Sequence, residues 1–405
     1  MPLRRKLAWV GVLYFAEGFP FGIVIDNLPV YFRIHGVSLT DIGLMSLLGL
    51  PWTLKVAWAP LVDTLGHARR WIVAALASMA LVTAALPSFD PAAPGLALWT
   101  LLLAFTIASA TQDIAIDAYT IGFLARGEEG IANGVRVSAY RAALVVGGGG
   151  LVAIAEYAGW PAVFFVSAGL LLGLALVVSR CPPIAIESGP RPEWLASFRA
   201  WLGRPGAILV FLFVLTYKLG DASMGPMVKP YWIDSGLTVK EIGLVSTTAG
   251  VALSVLGALV GGAFTSRAGI FRGLWILGLA QALSNLGYAA AAALEAGRPG
   301  IYAASAFESF TGGLGTAAFL AFLMRACDKQ QAATQYAALS ALFGFTRTLA
   351  GAASGIATEH LGYPAYFAFT FVLAFPAYLL LPWVKLWAEE RGGSAPTART
   401  QSVAT

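Results

Sequence analysis

The stretch GVSLTDIGLMS, residues 36–46, returns two hundred positions later as GLTVKEIGLVS, residues 236–246. Each copy opens a long apolar segment, and each segment ends in a tight, basic turn. The residues that mark the two turns are Ala59, Asp63, Gly66, Arg69 and Arg70 in the first copy and Gly262, Ser266, Arg267, Gly269 and Arg272 in the second. A repeat of this length, built from membrane-length apolar segments, indicates that the chain is an internal duplication.

The composition indicates a membrane protein. Of the 405 residues, 58% are hydrophobic and only 12% are charged, which is too little polar surface for a soluble globule. The net charge of +5 is scattered between apolar runs, so no nucleic-acid-binding face is predicted. Cys181 and Cys327 have no metal-type spacing, and we interpret both as reduced thiols. No cofactor and no metal are therefore expected.

Apolar segments long enough to cross the hydrocarbon core number about twelve, six in each half. We predict an N-terminal six-helix bundle over residues 1–179, a cytoplasmic linker over 180–205, a C-terminal six-helix bundle over 206–388 and a disordered tail over 389–405. Helical spacing of the apolar residues at 194–202 predicts a short surface helix in the linker, and a disordered linker is the alternative.

The distribution of positive charge predicts the orientation in the membrane. Eighteen of the 26 Lys and Arg residues fall on the side of the N-terminus, whereas Arg33, Lys229, Lys240 and Arg298 fall on the other. Because cytoplasmic loops carry the excess of Lys and Arg, both termini are predicted to be cytoplasmic. The chain is expected to be a multi-pass protein of the bacterial inner membrane, with the lipid bilayer as a partner.

A second repeat joins the fifth and sixth predicted helices of each half. It reads Glu156-x-x-Gly159-Trp160-Pro161 in the first half and Glu359-x-x-Gly362-Tyr363-Pro364 in the second. Two matched six-helix halves with a cytoplasmic linker resemble the major facilitator architecture, an all-α polytopic fold around a central cavity. The turn at Asp63 resembles the loop between the second and third helices of that superfamily. The resemblance implies a gating role for Asp63, Arg69, Arg70 and Arg267, with Asp63 latching the outward-open state.

Charged residues inside the predicted spans are costly unless they are paired or face water, so they indicate function. Asp113 and Asp117 lie four residues apart, which places both carboxylates on one face of the fourth helix. Such a pair can hold a proton in one state of a transporter and release it in another. Lys55 and Arg141 are the expected counter-charges. A static salt-bridge network that only holds helices together is the alternative.

The two halves differ in the charges that they are expected to direct toward the cavity. The predicted proton-coupling residues are Glu17, Asp113, Asp117 and Glu308. The predicted substrate-binding residues are Glu17, Lys218, Asp221, Gln281, Asn285 and Glu308. Arg347 is expected to act as a charge partner together with Lys55 and Arg141. A cavity with charges of both signs favours a zwitterionic or anionic polar solute.

The first half carries a more specific resemblance. The motifs Ile42-Gly43-Leu44-x-Ser46-Leu47-x-Gly49-x-Pro51, Lys55-x-x-Trp58-Ala59-Pro60-x-x-Asp63, Gln112-Asp113-Ile114-x-x-Asp117 and Tyr140-Arg141 are similar to those of the AmpG-type muropeptide permeases. Their relatives include siderophore permeases and acetyl-CoA transporters. The resemblance implies functional roles for Lys55, Asp113, Asp117 and Arg141, in a proton-dependent importer of anhydromuropeptides.

Several expectations follow for the function. The chain is predicted to be a monomeric, proton-coupled importer that works by alternating access on a polar or anionic amphiphile such as an anhydromuropeptide. A siderophore uptake permease is the alternative. An intramembrane enzyme is the remote alternative, suggested by Leu219-Gly220-Asp221, but Lys218 stands where the protease motif needs glycine and no second catalytic loop appears.

Overall fold

The computed structural model describes residues 1–64, 67–125, 128–183, 199, 201–327 and 332–389, and it is helical throughout this part of the chain apart from short turns. The first half contains α1 (Leu3–Ile34), α2 (residues 39–64), α3 (Ala68–Ser88), α4 (Leu96–Phe123), α5 (residues 129–158) and α6 (residues 160–178). The second half contains α7 (Ala207–Asp234), α8 (Val239–Ala268), α9 (Ile270–Ala293), α10 (Gly297–Ala326), α11 (residues 332–361) and α12 (residues 363–389).

The number of membrane crossings follows from helix length. Within the described ranges, nine helical stretches are long and apolar enough to cross a membrane, and two of them, Ile131–Val178 and Ala338–Lys385, have 48 residues each. A straight helix of that length would measure about 72 Å, more than twice the roughly 30 Å of a hydrocarbon core. Each of the two therefore crosses twice. With the shorter apolar helix Leu39–Leu54 of α2, the total is the predicted twelve.

Glycines of the second repeat divide the two long stretches. Gly159 has φ 75° and Gly362 has φ 74°, a backbone region that residues with a side chain rarely adopt. Pro161 and Pro364 follow at the start of α6 and α12, where the missing amide proton of proline costs nothing. The repeat thus joins two helices at a corner that contains almost no loop.

The first repeat forms the turns that lead into α2 and α8. Ser38 caps α2, because its side chain accepts a hydrogen bond from the backbone amide of Asp41 at 3.0 Å. Thr238 and Glu241 form a reciprocal capping box at the start of α8. Equivalent sequence therefore forms equivalent structure in the two halves.

The halves contact each other at the end of the bundle opposite the chain termini, which we call the distal end. There α2 packs on α11, and α5 packs on α8. Gly43 of α2 faces Gly355 of α11, and Gly243 of α8 faces Gly149 of α5, so close that an added Cβ would clash with the opposite backbone. The run Gly147–Gly150 belongs to a π-helical turn, Val145–Gly150, at this contact.

Large apolar side chains cover the outside of the bundle. Leu81, Leu96, Ile121, Leu259 and Leu379 are each at least 67% exposed. An exposed apolar surface of this extent suits a lipid environment rather than water. The predicted linker helix at 194–202 and the predicted tail lie largely outside the described residues.

Candidate functional site

A cavity of about 520 Å³ lies between the halves. Its wall is formed by α1 and α2 of the first half and by α7, α10 and α11 of the second. Five charged side chains line it: Lys218, Asp221, Lys229, Glu308 and Arg347. The cavity therefore offers both signs of charge to a solute, as the sequence predicts for Lys218, Asp221 and Glu308.

Lys218 sits at a break in α7, between the helical segments Ala207–Tyr217 and Leu219–Asp234. Only 2% of the residue is exposed. Its ammonium donates to Gln281 Oε1 at 2.6 Å and to Thr316 Oγ1 at 2.9 Å, and it lies 3.8 Å from Asp221 Oδ2. Two hydrogen bonds and the neighbouring Asp221 carboxylate hold Lys218 in the wall of the second half.

Other residues predicted to bind substrate lie behind the cavity wall. Asn285 donates to Thr370 Oγ1 at 3.1 Å, and Gln281 is occupied by Lys218. With Asp221, these two residues border a separate small pocket. Gln281, Asn285 and Glu17 are not among the residues that line the main cavity, because their side chains point into the packed interior of their own half.

The first half holds a cluster of carboxylates that includes both aspartates of α4. Lys55 Nζ lies 3.5 Å from Asp113 Oδ2, which brings together the pair expected from the sequence. Tyr14 donates to Asp117 Oδ1 at 2.8 Å. One buried oxygen of Glu17 and one of Asp113 have no hydrogen-bond partner within the described structure. A buried carboxylate oxygen without a protein partner needs a proton, water or a ligand to satisfy it.

In the described structure the cation beside Asp117 is not Arg141, the counter-charge that the sequence predicts. Arg136 takes that place, with Nη2 at 3.4 Å from Asp117 Oδ1 and its guanidinium 4.5 Å from the centre of the Tyr14 ring. Residues five positions apart point about 140° away from each other around a helix, so Arg136 and Arg141 cannot both face α4. The sequence indicated only the depth of each arginine in the membrane. Depth does not tell which arginine faces α4, because that depends on the rotation of the helix about its axis.

The sequence analysis gave no role in the site to two further residues, Lys229 and Asp26. Lys229, predicted to lie on the distal surface, is buried and forms an ion pair with Asp26 of α1 across the interface. Lys229 also donates to the carbonyl of Ile25 at 3.3 Å. In the register of the first repeat, in which equivalent residues are 200 positions apart, Lys229 lies opposite Pro29, so the duplication gives no sequence signal for a buried cation there. Gly148 leaves the space that the Asp26 carboxylate occupies.

The residues with predicted gating roles are only partly described. The side chain of Asp63 lies outside the described part of the structure. Arg69 donates to the carbonyl of Cys181 at 2.7 Å, which ties the start of α3 to the residues that follow α6. Arg70 and Arg267 are exposed. The gating role of these four residues remains a prediction.

Arg347, predicted to act as a charge partner, lines the cavity without an ion pair in the described part of the structure. Within the described ranges, no carboxylate oxygen lies within 4 Å of its guanidinium. The side chain is exposed on the cavity-facing side of α11, and its guanidinium carbon lies 5.9 Å from the centre of the Phe21 ring.

Comparisons with solved structures identify the fold. A POT family transporter, solved in complex with a thioalcohol-conjugated peptide, superposes with a TM-score of 0.73 at 11% identity, over 95% of this chain and 97% of that one. The nucleoside transporter NupG superposes with a TM-score of 0.70 at 15% identity, over 96% of this chain and 100% of that one. These matches show that the chain has the major facilitator fold.

Sequence comparisons define the family. The anhydromuropeptide permease of Escherichia coli strain K12 is 33% identical over 385 residues, which are 91% of this chain and 78% of that protein. The putative transporter AmpG 4 of Rickettsia conorii is 28% identical over 400 residues, 93% of this chain and 95% of that protein. A family model described as acetyl-coenzyme A transporter 1 matches residues 7–87. The chain belongs to the AmpG permease family and is a multi-pass inner-membrane protein that transports a small molecule.

Proposed function

We propose that this protein is a monomeric, proton-coupled importer of a polar, anionic amphiphile of the anhydromuropeptide type, working by alternating access. Both termini are cytoplasmic in this proposal, so the distal end faces the periplasm. The printed function of the Escherichia coli relative supports the choice of solute class.

The observation that carries the proposal is the carboxylate cluster of Glu17, Asp113 and Asp117. Among the residues that the structure describes, Lys55 and Arg136 are the cations paired with these acids, and one oxygen of Glu17 and one of Asp113 are buried without a protein partner. A buried carboxylate oxygen that lacks a hydrogen bond is well suited to carry a proton, since protonation removes the charge that burial disfavours. The cluster lies on α1, α2, α4 and α5 of the first half, which moves against the second half in alternating access.

The contacts at the distal end support the alternating-access part of the proposal. Arg33 of α1 and Asp234 of α7 form a two-pronged ion pair, with Nε to Oδ1 at 2.7 Å and Nη2 to Oδ2 at 2.5 Å. Tyr363 donates to the same carboxylate at 2.6 Å. These bonds join the halves at the distal end, and in the proposed orientation closure there is what an inward-facing state of an alternating-access cycle requires.

The test is uptake by purified protein in proteoliposomes. We expect Asp113→Asn and Asp117→Asn to retain substrate counterflow, which needs no gradient, and to lose accumulation driven by a pH gradient. Asp90→Asn, which changes an exposed carboxylate in the loop before α4, is the matched control and should behave as wild type. If both variants still accumulate substrate and stay sensitive to a protonophore, the cluster does not couple protons.

A further inference from the structure

The charged side chains of the cavity differ in whether the protein itself satisfies them. Lys218 has three oxygen partners, and Lys229 is paired with Asp26. Arg347 is exposed to the cavity and has no carboxylate within 4 Å in the part of the chain that the structure describes. Among the cavity cations that the structure describes, Arg347 is therefore the one without a carboxylate partner.

An uncompensated arginine inside a membrane span needs water or a ligand. A guanidinium group cannot lose its proton at physiological pH, so Arg347 cannot become neutral as a buried lysine can. Its five donors form a planar fork that matches the two oxygens of a carboxylate. The cavity admits water, which can solvate the group while the cavity is empty, and a carboxylate of the solute can replace that water.

The side chains around Arg347 indicate which chemical group of the solute lies next to its carboxylate. The guanidinium carbon lies 5.9 Å from the centre of the Phe21 ring. Phe21 is in edge contact with Trp52, with the ring centres 5.1 Å apart, and both rings line the cavity. Two aromatic rings of α1 and α2 thus stand beside a cation of α11, so the site spans both halves. Such rings bind the apolar face of a sugar or a flat aliphatic surface.

We propose that Arg347 binds a carboxylate of the transported solute, while Phe21 and Trp52 hold the adjoining sugar or apolar face. Lys218 is then a positioning residue of the wall and not the anion-binding residue. This inference rests on the proposed function and narrows its substrate class. Because the solute would contact α1, α2 and α11 together, binding would draw the two halves onto the same ligand.

The test is equilibrium binding to purified protein in lipid nanodiscs. The probes are an anhydromuropeptide with free carboxylates and the same compound with its carboxylates amidated. We expect Arg347→Gln to weaken binding of the free acid by about tenfold or more and binding of the amide by less than about twofold, as for a lost charge-assisted hydrogen bond. Arg347→Lys should give an intermediate loss for the acid, because the charge is kept and the fork is not.

Three comparisons make the result specific. Lys218→Met should weaken the binding of the acid and of the amide equally, and Phe21→Ala should do the same. Arg272→Gln, an exposed arginine outside the cavity, is the matched control and should leave both affinities unchanged. The ratio of acid to amide affinity within each variant also separates a local effect from partial misfolding, which would lower both.

Two outcomes would overturn the inference. One is an equal loss for acid and amide in Arg347→Gln, and the other is wild-type protein that does not prefer the acid to the amide. The assay contains no gradient, so failure of proton coupling leaves it unaffected. Asp113→Asn should therefore keep the preference of the wild type for the acid even though its accumulation of substrate is lost.

Discussion

The backbone amide of Thr40, at the start of α2, donates to Glu359 Oε1 of α11 at 3.0 Å, and the Thr40 hydroxyl donates to the other oxygen of the same carboxylate at 2.6 Å. The equivalent contact joins the backbone amide of Lys240, at the start of α8, to Glu156 Oε2 of α5 at 2.9 Å. Each acid belongs to one half and each amide to the other. The two motifs that recur in the sequence therefore meet each other across the interface.

These reciprocal contacts are expected to stabilise the distally closed state. The first amides of a helix have no partner within the helix, and the helix dipole favours a negative charge beside them. Glu359→Gln or Glu156→Gln keeps the side-chain length and removes the charge. We expect each change to shift the equilibrium toward the distally open state by about 1 kcal/mol, roughly fivefold, and the double variant to shift it further.

Labelling of a cavity cysteine measures this shift. A Thr53→Cys variant should react faster with a membrane-impermeant maleimide added from the periplasmic side when either glutamate is neutralised. Background reaction should be slow, because burial raises the pKa of the Cys181 thiol and of the Cys327 thiol to about 11. Glu295→Gln, an exposed acid at the same end of the bundle, is the control. Equal labelling rates in all of these variants would show that the carboxylates do not hold the interface.

Because Asp26 and Lys229 form an ion pair, we expect the effects of substituting them on stability to be strongly non-additive. Both side chains are largely buried, with 12% and 14% of their area exposed. Removal of one partner from a buried pair costs about 3–5 kcal/mol, because the remaining charge is uncompensated, whereas removal of both is often nearly neutral. Lys229→Met alone should therefore lower the melting temperature in detergent more than Asp26→Asn combined with Lys229→Met. A double variant that is less stable than either single variant would contradict a direct pairing.

Substitutions of Arg136 and of Arg141 test which of the two arginines is the partner of Asp117. Arg136→Gln should reduce gradient-driven uptake strongly, about tenfold or more, because it leaves Asp117 with the Tyr14 hydroxyl alone. Arg141→Gln should have a much smaller effect, since no acid of the described structure lies within 4 Å of it. Uptake in vesicles, normalised to the amount of protein, measures both. The reverse order of effects would favour the pairing expected from the sequence.

We expect two glycines of α8 to differ in their response to substitution by alanine, because only one of them packs closely on α5. An added Cβ at Gly243 would lie 2.6 Å from the backbone nitrogen of Ala153, whereas one at Gly262 would meet nothing within 4 Å. Gly243→Ala should therefore hinder distal closure and slow transport. Gly262→Ala should leave transport unchanged and stabilise the protein slightly, by about 0.5–1 kcal/mol, because glycine weakens a helix interior. Thermal unfolding and uptake distinguish the two variants, and similar behaviour would argue against the tight contact.

Much of the architecture could be predicted because the bilayer constrains a sequence directly. A span must be long and apolar, so the twelve crossings, the duplication and the intramembrane charges were all readable from residue types and spacing. The pairing of Lys55 with Asp113 followed from similar depth on adjacent helices. Depth along the membrane normal is the one coordinate that such a sequence encodes residue by residue.

Rotation about the helix axis and packing between the halves were decided by the tertiary structure. Arg141 and Arg136 share one helix, and only the contacts of α5 determine which of them faces Asp117. Lys229 seemed to lie beyond the end of its span, next to Pro230, but α7 continues to Asp234 because neighbouring helices and side chains compensate for the hydrogen bond that proline removes. The extra turns bury Lys229 beside Asp26. The sequence did not show this pairing, because the two residues lie about two hundred positions apart and only the packing of α1 on α7 brings them together.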